Sequence, residues 1–342
     1  MMRLTSLKWL SLLGMILVLG LVVGCSDDDE TTPVGPGPGV DEFARVAALG
    51  DVYYTAYTTS TGAGVNTTAA NVWANMQDGD DTNDYYMLDW RSTTDYDLGH
   101  IEGAIDASLG DFANVVAAIP AGRTVLNICY SGQSASHATA YMNMLGIDAV
   151  NLKFGMCGWT TDLDDSWENN HGDDYASWLD QVAVSDPTDT YDYPDIDTGL
   201  TDPEDILLAQ ASAYLAAGWK KISVSALYED MVTNGNADDY FVINYFNEDP
   251  YNAGHIPGAF RFQPKQDFRT DEMLSNLPTD KKIVVYCYTG QTSSQVVAYL
   301  NALGYDAYSL LFGVNNMCYS NGNICEVQWH TATTDYPVVP TP

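Results

Sequence analysis

The sequence predicts an α/β fold built twice. Three observations carry this. A β-branched apolar run that ends in a cysteine, followed by a polar turn and a helix-like stretch, occupies residues 124–145 and returns at 282–303. Between residues 129–155 and 287–313, 15 of 27 aligned positions are identical, too many for chance, so the chain carries an internal duplication. Within each half, strand-like apolar runs alternate with helical spacing, which argues for a mostly parallel sheet flanked by helices.

The chain has 342 residues, enough for two ordinary domains. Its N-terminus reads as a targeting segment rather than as fold. Arg3 and Lys8 supply positive charge, residues 9–23 are apolar, and Val22, Val23, Gly24 and Cys25 resemble a bacterial lipobox. This gives a lipoprotein signal peptide over 1–25 with Cys25 as the lipidated residue. The apolar stretch is short for a membrane span, and nothing later in the sequence is long and apolar enough to be one. Ser26 rather than Asp follows the cysteine, so the expected location is the cell envelope, at the outer membrane, held by the lipid anchor only. Residues 26–40 are acidic and then rich in Pro and Gly, a disordered tether.

Net charge is −33, from 46 acidic against 13 basic residues. Phosphate contact needs basic surface, so nucleic acid is excluded as a partner. A cationic or redox protein partner fits the charge. Small anionic substrates meet an unfavourable long-range field, and a pocket for them needs local positive potential.

Folded sequence begins near Asp41, where residues 42–49 have helical apolar spacing. Thr67 and Thr68 are cap candidates for a helix over 68–76, and a strand is expected over 85–89. Gly99 and His100 open a polar turn. The strand into Cys129, a helix over 138–145 and a strand over 149–152 complete the half. The second half repeats these landmarks. Residues 84–90 correspond to 239–245 and residues 99–104 to 254–259, both at a spacing of 155. Residues 203–217 have the composition of a helix that opens it. The Pro- and Asp-rich stretch between places the boundary near 198, giving domains over 41–198 and 199–342.

The cysteine loops carry the chemistry. One reads Cys129, Tyr130, Ser131, Gly132, Gln133, Ser134; the other reads Cys287, Tyr288, Thr289, Gly290, Gln291, Thr292. A strand that delivers a cysteine to a helix N-terminus favours the anionic sulfur through backbone N–H groups and the helix dipole. Glycine three residues on lets the backbone turn tightly and approach a ligand. Cysteine-based phosphatase chemistry requires an arginine at the sixth position after the cysteine. Ala135 and Ser293 stand there, so that chemistry is excluded. No His/Cys spacing makes a metal site, and the aspartate runs read as solvated loops.

These residues resemble the rhodanese family in tandem arrangement. The resemblance rests on Leu88, Asp89, Trp90 and Arg91 at a strand end, on the turns at Gly99 and Gly254, and on the Cys-x-x-Gly-x-Ser/Thr loops. Degenerate closing turns at Leu152 to Gly155 and Leu310 to Gly313 complete it. It covers most of 65–160 and 220–318. It implies two compact α/β domains, each around a five-stranded sheet. It also implies Cys129 and Cys287 as nucleophiles that carry sulfane sulfur as persulfides, and no cofactor. A small sulfur-containing donor and a thiol or cyanide-like acceptor are the implied substrates. In this family the histidine turns at His100 and His255 are structural. The second half departs at Asn244, Tyr245 and Phe246. Both loops lack cations, which disfavours thiosulfate and favours polysulfide or persulfide donors.

Two readings of the remaining cysteines stand. Cys318 and Cys325 flank an Asn-Gly turn, which suits a local disulfide. Alternatively, Cys157 and Cys318, each just beyond a Phe-Gly turn, resolve the persulfides of Cys129 and Cys287. Two functions stand likewise: an extracytoplasmic sulfurtransferase, or an accessory module that binds sulfur species or docks on a redox complex.

Overall fold

A computed structural model describes residues 41–59, 65–332 and 334–341. The signal segment, Cys25 and the tether lie outside the described residues. In chain order the first half contains α1 (Glu42–Thr59), β1 (Asn66–Thr67), α2 (Ala69–Met76), β2 (Tyr86–Asp89), α3 (Thr93–Leu98), β3 (Ile105–Asp106), α4 (Phe112–Ala118), β4 (Val125–Ile128), α5 (Gln133–Met144) and β5 (Ala149–Leu152). The second contains α6 (Pro203–Ala217), β6 (Lys221–Ile222), α7 (Val224–Tyr228), β7 (Tyr240–Asn244), α8 (Glu248–Ala253), β8 (Phe260–Arg261), β9 (Lys282–Tyr286), α9 (Gln291–Ala302) and β10 (Ala307–Leu310).

Each half holds a five-stranded sheet, in the orders β1-β5-β4-β2-β3 and β6-β10-β9-β7-β8, and every pairing is parallel. Helical crossovers force this arrangement, because parallel neighbours cannot be joined by a tight hairpin. The interior strands β4 and β7 are buried along their whole length, and the central β9 along all but its first residue, as sheets covered on both faces require. Capping sets the helix starts. Thr68 Oγ1 accepts the Asn71 N–H, and the Asp202 carboxylate accepts those of Glu204 and Asp205, with Pro203 at the first helical position.

The second half compensates for its departures. In the first, Arg91 forms a buried ion pair with Asp89 at 2.8 Å and donates to the Gly99 carbonyl at 2.7 Å. In the second, Asn244 Nδ2 donates to the Tyr286 hydroxyl at 2.9 Å, and that hydroxyl accepts the Ile256 N–H at 3.0 Å. A neutral network thus replaces a buried charge pair, which removes the desolvation cost of two ions. His100 and His255 serve the turns. Each Nδ1 lies 2.9 Å from the carbonyl oxygen four residues back, and each ring stacks on a tyrosine, Tyr96 or Tyr251.

Contiguous halves in sequence are interwound in space. Helix α1 packs on the second half: Tyr54 meets Phe268 and Tyr299, Phe43 meets Tyr305, and Asp51 accepts the Thr270 N–H at 2.8 Å. Helix α6 packs on α4 and α5 of the first half, with Tyr214 against His137 and Tyr141. The segment after the first half pairs Asp180 with His255, and the C-terminal segment returns to pair Val339 with His100, both antiparallel. The packing thus exchanges the segments that flank the boundary expected near 198.

His137 on α5 is fully buried beside Tyr214 and Trp219, and its Nε2 has no hydrogen-bond partner among the described residues. Burial, with a smaller effect of Lys221, pushes its pKa from the ordinary 6.5 down to about 3. Above 6.5 both folded and unfolded forms are neutral and His137 contributes fully. Below it only the unfolded chain gains the proton. Stability therefore falls by about 1.4 kcal/mol per pH unit as pH drops toward 3. The repeat carries Gln295 at this position. His137→Gln is expected to remove this component. Urea unfolding at pH 7.5 and 5.0 checks it: equal pH-induced losses in wild type and variant would sink the assignment.

Candidate active site

Each cysteine closes a central strand and meets the N-terminus of the next helix. That helix begins within the loop, at Gln133 or Gln291, earlier than its apolar spacing suggests. The residues before it, Gly132 and Gly290, are left-handed (φ 81° and 76°), a conformation other residues adopt only under strain. Cys129 Sγ accepts the N–H groups of Gly132 at 3.2 Å and Ala135 at 3.4 Å. Cys287 Sγ accepts the Ser293 N–H at 3.4 Å, and its thiol lies 3.5 Å from the Ser293 hydroxyl as donor. The sixth position after each cysteine, where an arginine would bind phosphoryl oxygens, thus gives a backbone N–H to sulfur.

Both thiols are only 1% exposed. Burial pushes the Cys129 thiol up. The Ser134 hydroxyl and the N–H groups of Ala135, Ser131 and Gly132 oppose it without overcoming it. A thiolate in this cradle is thus stabilised locally and disfavoured by exclusion of water.

The other loop residues hold the walls. The Tyr130 hydroxyl donates to the Asp95 carboxylate and accepts the Ser92 N–H at 3.1 Å. The Ser131 carbonyl accepts from Trp167 Nε1 at 3.0 Å. Tyr288 stacks on Phe246 and donates to Glu326 at 2.8 Å. Thr289 is buried, and Thr292 lines a small cavity with Tyr54 and Tyr245. The closing turns put Phe154 and Phe312 at φ 66° and 61°, and bring Gly155 and Gly313 against the cysteine carbonyls. A Cβ would lie 2.4 Å from Cys129 O and 2.1 Å from Cys287 O, so only glycine fits.

The spare cysteines are buried free thiols, so the bridge that the sequence suggests between Cys318 and Cys325 is not formed. Those two share one hydrophobic cluster, and burial foremost pushes each to about 12. Cys157 donates to Asp164 Oδ1 at 2.7 Å, and burial with this carboxylate holds it far above the usual thiol range. It packs with Trp167, Phe312 and Trp329, in a cluster separate from that of Cys129. Protonated thiols held this way are poor resolving nucleophiles.

A family model described as "Rhodanese-like domain" matches residues 68–162 and 226–318, more than half of the chain. The chain belongs to the rhodanese family. No curated protein matches. Among solved structures, a thiosulfate sulfurtransferase from Pseudomonas aeruginosa is 18% identical, with 84% of this chain and 49% of that one covered and a TM-score of 0.29. The chain thus spans about half the length of that protein. A rhodanese-related protein from Thermoplasma volcanium is 20% identical, with 28% and 88% covered and a TM-score of 0.25. A protein from Lactobacillus plantarum is 25% identical, with 33% and 90% covered and a TM-score of 0.25.

Sequence reasoning placed the glutamines in the sulfur-cradling loops but missed what they reach. Gln133 Oε1 accepts the Phe312 N–H of the other rhodanese half at 2.8 Å. Gln291 Oε1 accepts the Phe154 N–H and the Asn151 Nδ2–H, each at 3.2 Å. Each glutamine also fills the space beside the opposite loop glycine: a Cβ on Gly290 would lie 2.3 Å from Gln133 Oε1. The only signal in the sequence was an identical Gln in both loops. Removing either side chain leaves a buried N–H unsatisfied, a loss of about 1–3 kcal/mol. Gln133→Ala and Gln291→Ala are each expected to lower unfolding stability by that amount. The double variant should depart from additivity by about 0.5 kcal/mol or more, because the two sites adjoin. Denaturant unfolding measures this, and strict additivity of two near-zero effects would refute the interlock.

Proposed function

We propose that this protein is an extracytoplasmic, lipid-anchored sulfurtransferase that moves sulfane sulfur through a persulfide on Cys129, Cys287 or both. The observation that carries this reading is the N–H cradle around each sulfur at a helix N-terminus. It stabilises negative charge on sulfur both before and after a second sulfur is attached. The cysteine thiolate attacks the outer sulfur of a donor R–S–S⁻. A new S–S bond forms, and the donor's bond breaks with its electron pair leaving on RS⁻. A thiol or cyanide acceptor then takes the outer sulfur and restores the thiolate. Neutral loops favour polysulfide or persulfide over thiosulfate as donor.

Near-complete burial of both sulfurs favours a second reading, an accessory module that holds a sulfur species or docks on a redox partner without turnover. The full chain incubated with polysulfide separates the two. Intact mass should rise by about 32 Da, one sulfur, and cyanide should discharge it as thiocyanate. Neither adduct nor thiocyanate, with both thiols shown to be reduced, would leave the accessory reading. The anchor is tested separately: Cys25→Ala should move the protein from the membrane to the soluble fraction, and an unchanged distribution would overturn it.

A further inference from the structure

A chain of buried hydroxyls runs back from Cys287. The thiol lies 3.5 Å from Ser293 Oγ as donor, and Ser293 Oγ lies 2.9 Å from Ser309 Oγ on β10. Ser309 donates to the Gly290 carbonyl at 3.3 Å, and Ser294 reaches that carbonyl at 2.7 Å and Ser309 Oγ at 3.1 Å. All three serines are fully buried. The chain thus starts on sulfur and ends on a carbonyl of the cysteine loop. The first half carries Ala135 in place of Ser293 and Asn151 in place of Ser309. Asn151 instead turns its Nδ2 to Gln291 Oε1 at 3.2 Å and to Asn66 Oδ1 at 2.9 Å. A strand position that serves sulfur in the second half therefore serves the contact between halves in the first. The hydroxyl that reaches Cys129 belongs to Ser134, one residue before Ala135 and only half-buried.

A backbone N–H only donates. A hydroxyl rotates, and donates or accepts as its neighbours require. With Cys287 as a thiol, the S–H donates to Ser293 Oγ and the Ser293 hydrogen points to Ser309. With Cys287 as a thiolate, the Ser293 hydrogen turns to sulfur. Ser309 then donates to Ser293 Oγ, while Ser294 keeps the Gly290 carbonyl satisfied. Either charge state is met in a buried site, where an unmet charge costs most. A persulfide carries its charge on the outer sulfur, so this donor acts most on the bare thiolate. Tyr245 and Tyr288 lie within electrostatic reach of Cys287, and Asp267 and Glu326 act on them in turn. Burial foremost pushes both phenols up, so neither adds a charge beside the sulfur near neutral pH.

We propose that Ser293 is a catalytic residue of the second half and Ser309 its positioning residue. The Ser293 hydroxyl reverses its hydrogen bond with the charge on Cys287 and stabilises that thiolate. The consequence for sulfur transfer rests on the persulfide reading. Cyanide attacks the outer sulfur and a C–S bond forms. The S–S bond breaks with its electron pair on Cys287 Sγ, and thiocyanate leaves. Ser293 donates to the charge that develops on Sγ. The hydrogen-bond exchange itself is tested without that reading.

Raman difference spectra of the full chain against Cys287→Ala isolate the Cys287 S–H stretch, which falls in frequency when the thiol donates a hydrogen bond. Ser293→Ala, the residue type that the first half carries there, should move this band up. Ser294→Ala deletes an equally buried hydroxyl one residue on and should leave the band in place. Sulfur transfer is read in a Cys129→Ala chain loaded with polysulfide and discharged by cyanide. Ser293→Ala should slow the discharge on the order of tenfold, as loss of a hydrogen bond to a charged group implies. Ser309→Ala should slow it less and keep the band low, because the acceptor remains. An unmoved band in Ser293→Ala, an equal shift in Ser294→Ala, or discharge at the original rate in Ser293→Ala or Ser309→Ala would overturn the inference. If Cys287 takes up no sulfur, the persulfide reading falls. The band then decides the inference alone: a shift confined to Ser293→Ala supports the hydrogen-bond exchange, and its absence sinks it.

Discussion

The reciprocal reach of Gln133 and Gln291 is the contact on which the rest of the structure depends. Each glutamine leaves the cysteine loop of its own half and accepts the N–H of the closing turn in the other. Those turns in turn bring Gly155 and Gly313 against the cysteine carbonyls, where Met156 and Val314 donate N–H groups at 2.8 and 3.1 Å. Each cradle is thus held from behind by the opposite half. The α5–α9 contact, with the Tyr141 hydroxyl donating to Ala298 O at 2.8 Å, brings the two loops face to face. Exchange of α1, α6 and the two flanking segments then wraps each half with chain from beyond the other. The apolar cluster that contains both Cys129 and Cys287 draws its residues from both halves.

Much of this was legible in the sequence. The cysteine loops, the flanking strands and the polar turns stand at the expected positions, because a duplicated pattern of apolar period and turn residues is read twice. The structural role of His100 and His255 was legible too. The two-residue strands β1, β3, β6 and β8 were not, since so short a run carries no periodicity. The exchange of flanking segments was also out of reach. Periodicity marks α1 and α6 as helices but says nothing about which half receives their apolar faces. The Cys318–Cys325 bridge was inferred from turn chemistry, whereas the structure holds both thiols buried and free within one apolar cluster.

Duplication also makes the divergence readable. Where the first half keeps Asp89 and Arg91 as a buried pair, the second substitutes a hydrogen bond from Asn244 Nδ2 to the Tyr286 hydroxyl, and the strand end is held without ions. Where the first half shows Asp106, the second shows Arg261. The shared scaffold keeps the sulfur cradles alike, while the strand ends around them differ in sequence.

The central claim is that the halves seal each other's cysteines. The most direct test is the rate at which neutral iodoacetamide labels Cys129 and Cys287 in the native chain, followed separately by peptide mass. Both thiols should react slower than in the unfolded chain by roughly 10³-fold or more, as expected for sites reached only by opening. Gln133→Ala should accelerate both together, although it alters one loop. Labelling of the wild type near the unfolded rate, or acceleration of Cys129 alone, would contradict a mutual seal.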